Sequence, residues 1–195
     1  MKKKFVISLA VFLTLLSGCK FKGKDVSEST IFVNRDGSIE SVVIEDFPEN
    51  KYSADELNLM VKDSVLVYNG NRDLGDVKII SCDVINGIAT VSLNYNSSLD
   101  YAEFNDRDFY FGTVSAALDA GYAKTATLIN AHGTNTITGD AIYDMATYHM
   151  LVFDESVNVK TYASILYYSS NLTILDDNTV TRDGDVKGLS YIIIK

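Results

Sequence analysis

The clearest pattern in the chain lies at 77–95, where apolar and polar residues alternate on both sides of Asn86-Gly87. A two-residue Asn-Gly loop favours a tight hairpin and fixes its register. That register sets Ile85 opposite Ile88, Val84 opposite Ala89, Cys82 opposite Val91 and Ile80 opposite Leu93. Because strand side chains alternate, Ile80, Cys82, Val84, Ala89, Val91 and Leu93 are expected on one buried face. Ser81, Asp83, Thr90, Ser92 and Asn94 take the wet face. A second pair of strands is predicted at 30–33 and 39–47. They are joined by Asn34-Arg35-Asp36-Gly37, whose glycine suits the positive φ of a bulged type I turn.

Between these hairpins the period changes to that of a helix. Leu57, Met60, Val61, Ser64, Val65 and Tyr68 recur at helical spacing and predict one buried face. Ser53 with Glu56 three residues later forms a capping box, and Gly70 ends the element. Residues 98–121 read as helix in two pieces, with Gly121 as the stop. Short strands follow at 125–131, 149–154, 163–168, 172–175, 179–182 and 189–194, with a helical turn at 141–146. Strands and helices do not alternate regularly, which disfavours a parallel βαβ architecture. The expected class is α+β, a largely antiparallel sheet of short strands with two or three helices.

Composition narrows the function classes. Of 195 residues, 47% are hydrophobic and one is proline, so the chain can bury a real core. The formal charge is −9, opposite in sign to the basic footprint that nucleic-acid binding requires.

The first 25 residues carry an address. Lys2, Lys3 and Lys4 precede an apolar run at 5–16, too short to span a bilayer, which needs about 20 residues. Leu16-Ser17-Gly18-Cys19 follows and resembles the lipobox of bacterial lipoproteins. The resemblance implies cleavage before Cys19 and a diacylglyceryl group on its thiol. It gives a signal peptide at 1–18, a lipidated tether at 19–29 and one acidic α+β domain at 30–195. From Cys19 onward 14 basic residues face 26 acidic ones, or −12. Lys20, Lys22 and Lys24 lie beside the anchor, where each can add about 1 kcal/mol of attraction to anionic headgroups. From Asp25 onward the balance is 11 against 26, or −15. The tether is drawn to the bilayer and the domain is held off it.

The remainder also resembles small lipoproteins of Gram-positive gut anaerobes. The residues that carry the likeness are the hairpin closed by Asp36-Gly37, the stretch Ile44-Glu45-Asp46-Phe47, Gly112-Thr113-Val114, Ile165-Leu166-Tyr167-Tyr168 and the terminal Tyr191-Ile192-Ile193-Ile194-Lys195. No activity follows from it.

Candidate chemistry is sparse. Residues 34–39 resemble half an EF-hand loop, yet Phe32 and Val43 stand where its first and twelfth oxygen ligands belong. Asp176, Asp177, Asp183 and Asp185 follow no metal-loop spacing, and His132 and His149 form no zinc pattern. No Gly-x-Ser-x-Gly or Ser-x-x-Lys embeds a serine. Cys82 is expected in the core and unreactive. The sequence thus assigns no catalytic residue, no metal ligand and no cofactor.

The most unusual stretch is 101–111, where aromatic and acidic residues interleave. Tyr101, Asp106, Asp108, Tyr110 and Phe111 are the candidate ligand contacts, with rings to stack and carboxylates to orient hydroxyls or amines. The alternative is a helix that buries its rings and shows its acids to water. The expected partners are the lipid bilayer through Cys19 and a glycan or basic peptide, with nucleic acid excluded by charge. The leading function is an extracytoplasmic, membrane-anchored, non-enzymatic binding module. A small envelope hydrolase using two carboxylates is the alternative. A transporter's two-lobed binding lipoprotein is disfavoured by the 177 residues left after cleavage.

The lipobox reading is checked by cell fractionation. Cys19→Ala should leave the chain unprocessed and free of acyl label. Unchanged processing and membrane retention would contradict lipidation.

Overall fold

The computed structural model describes residues 26–48, 51–70 and 76–195. The leader, Cys19 and the tether as far as residue 25 lie outside the described residues.

The chain runs β1 (Thr30–Val33), β2 (Ile39–Asp46), α1 (Ala54–Asn69), β3 (Val77–Ile85), β4 (Ile88–Tyr95), α2 (Ser98–Asn105), β5 (Phe109–Thr113) and α3 (Val114–Asp119). It continues through β6 (Thr127–Asn130), β7 (Thr136–Thr138), α4 (Asp140–Tyr143), β8 (His149–Phe153) and β9 (Asn158–Thr161). The last strands are β10 (Ile165–Ser169), β11 (Thr173–Asp176), β12 (Thr179–Thr181) and β13 (Ser190–Ile194). They build two sheets, ordered β11-β12-β9-β1-β2-β4-β3 and β5-β8-β13-β10-β6-β7. Every pairing is antiparallel except that of β1 with β9. The class is α+β and mostly sheet.

One apolar layer joins the sheets. Ile31, Val33, Ile39, Leu93 and Val159 of the seven-stranded sheet meet Phe109, Leu151, Phe153, Ile192 and Ile194 of the six-stranded one. The six-stranded sheet is buried on both faces. Its other side, with Met150, Val152 and Ile193, packs against Val114, Ala117 and Leu118 of α3 and Ile142 of α4. This explains why β8 and β13 read as continuous apolar runs rather than alternating ones.

Local signals act as the chain predicts at several turns. Gly37 and Gly87 take φ +84 and +76 at the two hairpin turns. The Glu56 N–H donates to Ser53 Oγ at 3.4 Å, so Ser53 caps α1.

Three expectations need correction. The stretch predicted as helix at 98–121 is α2, then strand β5, then α3. Aromatic residues at 109–111 favour a pleated surface, and Tyr110 lays its ring against Gly112, where a side chain would collide with it. In α1 the buried stripe is narrow, formed by Val61, Val65 and Tyr68, while Met60 is 60% exposed and Ser64 is also exposed. In the 77–95 hairpin a bulge lies between Ile79 and Ser81. Ile79 rather than Ile80 therefore pairs with Leu93 and joins the core, and Ile80 is left 49% exposed.

Cys82 keeps its expected partner, Val91, but β3 is the sheet edge and the thiol is only half-buried. Burial and then Asp83 push its pKa up, against the pull of Lys62. Cys82 should therefore react with a thiol reagent without denaturant, slowly at neutral pH and about tenfold faster per unit of added pH below its pKa. Complete protection until global unfolding would show a closed edge. Among the described residues no helix is long and apolar enough to cross a membrane.

Candidate functional site

Strand geometry separates the residues singled out at 101–111. Tyr101 is 3% exposed, with Tyr95 at 4.9 Å and Phe109 at 4.5 Å between ring centroids. Its hydroxyl donates to Glu155 Oε1 at 2.8 Å. Tyr101 is thus a core residue with a polar handle. Tyr110 and Phe111 are neighbours in β5 and point to opposite faces. Tyr110 tilts against Tyr122 at 5.2 Å on the α3 side, while Phe111 packs with the layer between the sheets. Asp106 and Asp108 sit exposed on the α2–β5 connection. Asp106 ends α2 in the left-handed conformation, φ 52, its N–H donating to the Ala102 carbonyl. The five residues do not form one site.

Phe111 instead joins a cluster that draws on both sheets. Its ring stacks on His149 of β8 at 5.4 Å with 20° between planes. Tyr162, just after β9, meets both rings edge-on at 6.3 Å, and its hydroxyl lies 3.3 Å from His149 Nδ1. The Arg35 guanidinium, from the β1–β2 turn, sits 5.3 Å above the Tyr162 ring. Burial raises the Tyr162 pKa, with Arg35 opposing. All three rings are half-buried and Arg35 is exposed, so the cluster reaches solvent.

Beside Tyr162 opens a shallow cleft of about 590 Å³, lined also by Ala163, Ser164, Asp176, Asp177 and Asn178. Its two walls are the β9–β10 connection and the β11–β12 turn, and hydrogen bonds lace them together. Ile165 N–H donates to the Asp177 carbonyl and Thr161 N–H to the Asn178 carbonyl, both at 2.8 Å. The Asn178 side-chain amide donates to the Thr161 carbonyl at 3.0 Å. The cleft is thus pre-formed. Asp176 is partly desolvated, which alone would raise its pKa. The Asn178 N–H at 2.9 Å, Thr179 and Lys160 outweigh that and hold it below 3.8.

Sequence reasoning missed Tyr162 and Arg35 and treated His149 as isolated. No local signal marks the cluster, because its members come from four separate segments that only the sheet packing brings together. In the sequence, Asp176 and Asp177 raise only the question of a metal. Among the described residues no group of three or more His, Cys, Asp or Glu is placed to hold a metal.

Away from the cleft, Glu155 has the opposite shift from Asp176. Burial raises its pKa from the ordinary 4.5, and the Tyr101 hydroxyl and Arg107 only partly offset this. A carboxyl whose folded pKa is raised contributes stability that is present below 4.5 and lost as pH rises through the folded value. Glu155→Gln keeps an acceptor for Tyr101 without the charge. Thermal melts from pH 4 to 7 should therefore favour the variant progressively over wild type as pH rises. A constant difference would mean that Glu155 is not desolvated. Tyr101→Phe, which strips a donor from that carboxylate, should cost about 1–3 kcal/mol in urea denaturation.

Comparison with family models, with curated proteins and with solved structures returns no match to this chain.

Proposed function

We propose that this chain is a lipid-anchored, extracytoplasmic, non-enzymatic module that binds glycan in the cleft beside Tyr162. The anchor rests on the lipobox Leu16-Ser17-Gly18-Cys19, with the diacylglyceryl group on Cys19 and Lys20, Lys22 and Lys24 against anionic headgroups. The observation that carries the binding assignment is a cleft, its walls joined by hydrogen bonds, that places an aromatic ring beside oxygen acceptors. Sugars present apolar C–H faces and radial hydroxyls. Tyr162 offers ring surface to the first, and Asp177, Asn178 and Ser164 offer polar atoms to the second. The acidic domain, −15 from Asp25 onward, favours neutral or cationic ligands over polyanions.

A carboxylate hydrolase is the weaker reading. A glycosidase acid must hold its proton near working pH and face a second carboxylate across the cleft. Asp176 is held ionised by its hydrogen bonds, and Asp177 is its neighbour on the same turn. Glu155 has a raised pKa but gives its carboxylate to Tyr101 in the core and does not line the cleft.

Binding is measured by calorimetry against neutral cell-envelope glycan fragments and, as the competing ligand class, basic peptides. Tyr162→Ala should weaken glycan binding at least tenfold, and Asp177→Asn by a smaller factor, with the Asp177→Asn melting temperature within about 2 °C of wild type. No glycan binding, or binding indifferent to Tyr162, contradicts the proposal. A preference for basic peptide keeps the module but replaces its ligand.

A further inference from the structure

α1 is apolar on two opposite sides. Val61, Val65 and Tyr68 face the core. On the far side Leu59, Met60, Leu66 and Val67 are 59%, 60%, 70% and 70% exposed. These four recur at a seven-residue spacing, Leu59 with Leu66 and Met60 with Val67, so they form two parallel rows along two turns. So many large apolar side chains exposed on one helix face mark an interaction surface. With Glu56, Asp63 and Ser64, the side chains of Leu59, Met60 and Val67 form one open, shallow surface along α1.

The two acids identify the occupant. Glu56 and Asp63 lie between the apolar rows, themselves seven residues apart, so their Cα atoms are separated by about 10.5 Å along the axis. A second copy of this helix would bring those carboxylates against their like. An anionic membrane surface would meet the same repulsion, reinforced by the −15 of the chain from Asp25 onward. A helix with an apolar stripe and two basic residues one heptad apart matches both features at once. We propose that the outward face of α1 docks a cationic amphipathic helix of a protein partner. This surface lies on a different element from the Tyr162 cleft and does not depend on glycan binding. The expected recognition is helix against helix: Leu59, Leu66 and Val67 pack against the partner's apolar side chains, and Glu56 and Asp63 pair with its lysines or arginines.

The test uses the full chain and a fluorescent 18-residue synthetic helix of Leu and Lys, the leucines on one stripe, read by anisotropy. Two controls are a scrambled Leu/Lys peptide and a twin carrying Glu in place of Lys. The striped cationic peptide should bind at least tenfold more tightly than either control. The double variant Leu59→Gln/Val67→Gln should weaken it about tenfold with an unchanged melting temperature, because both side chains are exposed. Glu56→Gln/Asp63→Asn should weaken it severalfold and flatten its salt dependence. Equal binding of the scrambled peptide, or indifference to both double variants, overturns the proposal. It is equally overturned if Leu59→Gln/Val67→Gln abolishes self-association in sedimentation, or attachment to vesicles of anionic lipid, in place of peptide binding.

Discussion

The packing of Tyr95, Tyr101 and Phe109 sets the geometry of the molecule. Tyr95 ends β4, has no exposed surface, and meets Tyr101 of α2 edge-on, which in turn rests on Phe109 at the start of β5. Three aromatic side chains thus connect the seven-stranded sheet to the six-stranded one through a single helix. Each tyrosine carries a hydroxyl into the interior, and each is answered: Tyr95 lies 3.3 Å from the Ser41 hydroxyl, and Tyr101 donates to Glu155. Burial raises the pKa of both phenols, so they remain protonated and able to donate. Unanswered, either hydroxyl would cost about 1–3 kcal/mol, enough to loosen a fold of ordinary stability.

The same junction positions the surface cluster. Phe111 follows Phe109 by two residues, so both point into the layer between the sheets. His149 and Phe111 come from the six-stranded sheet, while Tyr162 and Arg35 come from loops of the other. The stack forms only where the two sheets come together. The cleft beside it inherits that rigidity, because its own walls are stitched by backbone hydrogen bonds rather than by side chains alone.

What the sequence made legible was local. Asn86-Gly87, Asp36-Gly37 and Ser53 with Glu56 encode their turns and cap within a few residues, and the structure has them there. Strand β5 was misread because Phe109, Tyr110 and Phe111 are all apolar. A strand buried on both faces shows no alternation to distinguish it from helix. Strands β7 and β9 are short and polar at most positions, so they carry no pattern. The bulge at Ile79–Ser81 shifted one residue between faces without any glycine to announce it. Tyr101 has acidic neighbours in the sequence, yet its burial depends on Tyr95 of β4 and Phe109 of β5. The cluster of Arg35, Phe111, His149 and Tyr162 spans more than a hundred residues of chain. Only long-range sheet pairing, such as the parallel contact of β1 with β9, brings it together.

The cross-sheet cluster requires the two sheets to be one cooperative unit. Native-state hydrogen exchange over a series of low denaturant concentrations measures this directly. Amides of Ile31 and Val33 in one sheet and of Leu151 and Ile192 in the other should open with the same free energy and the same denaturant slope. If either set exchanges through a separate opening of lower energy and smaller slope, the sheets are independent. The cross-sheet cluster of Arg35, Phe111, His149 and Tyr162 would then not be held by a single packed unit.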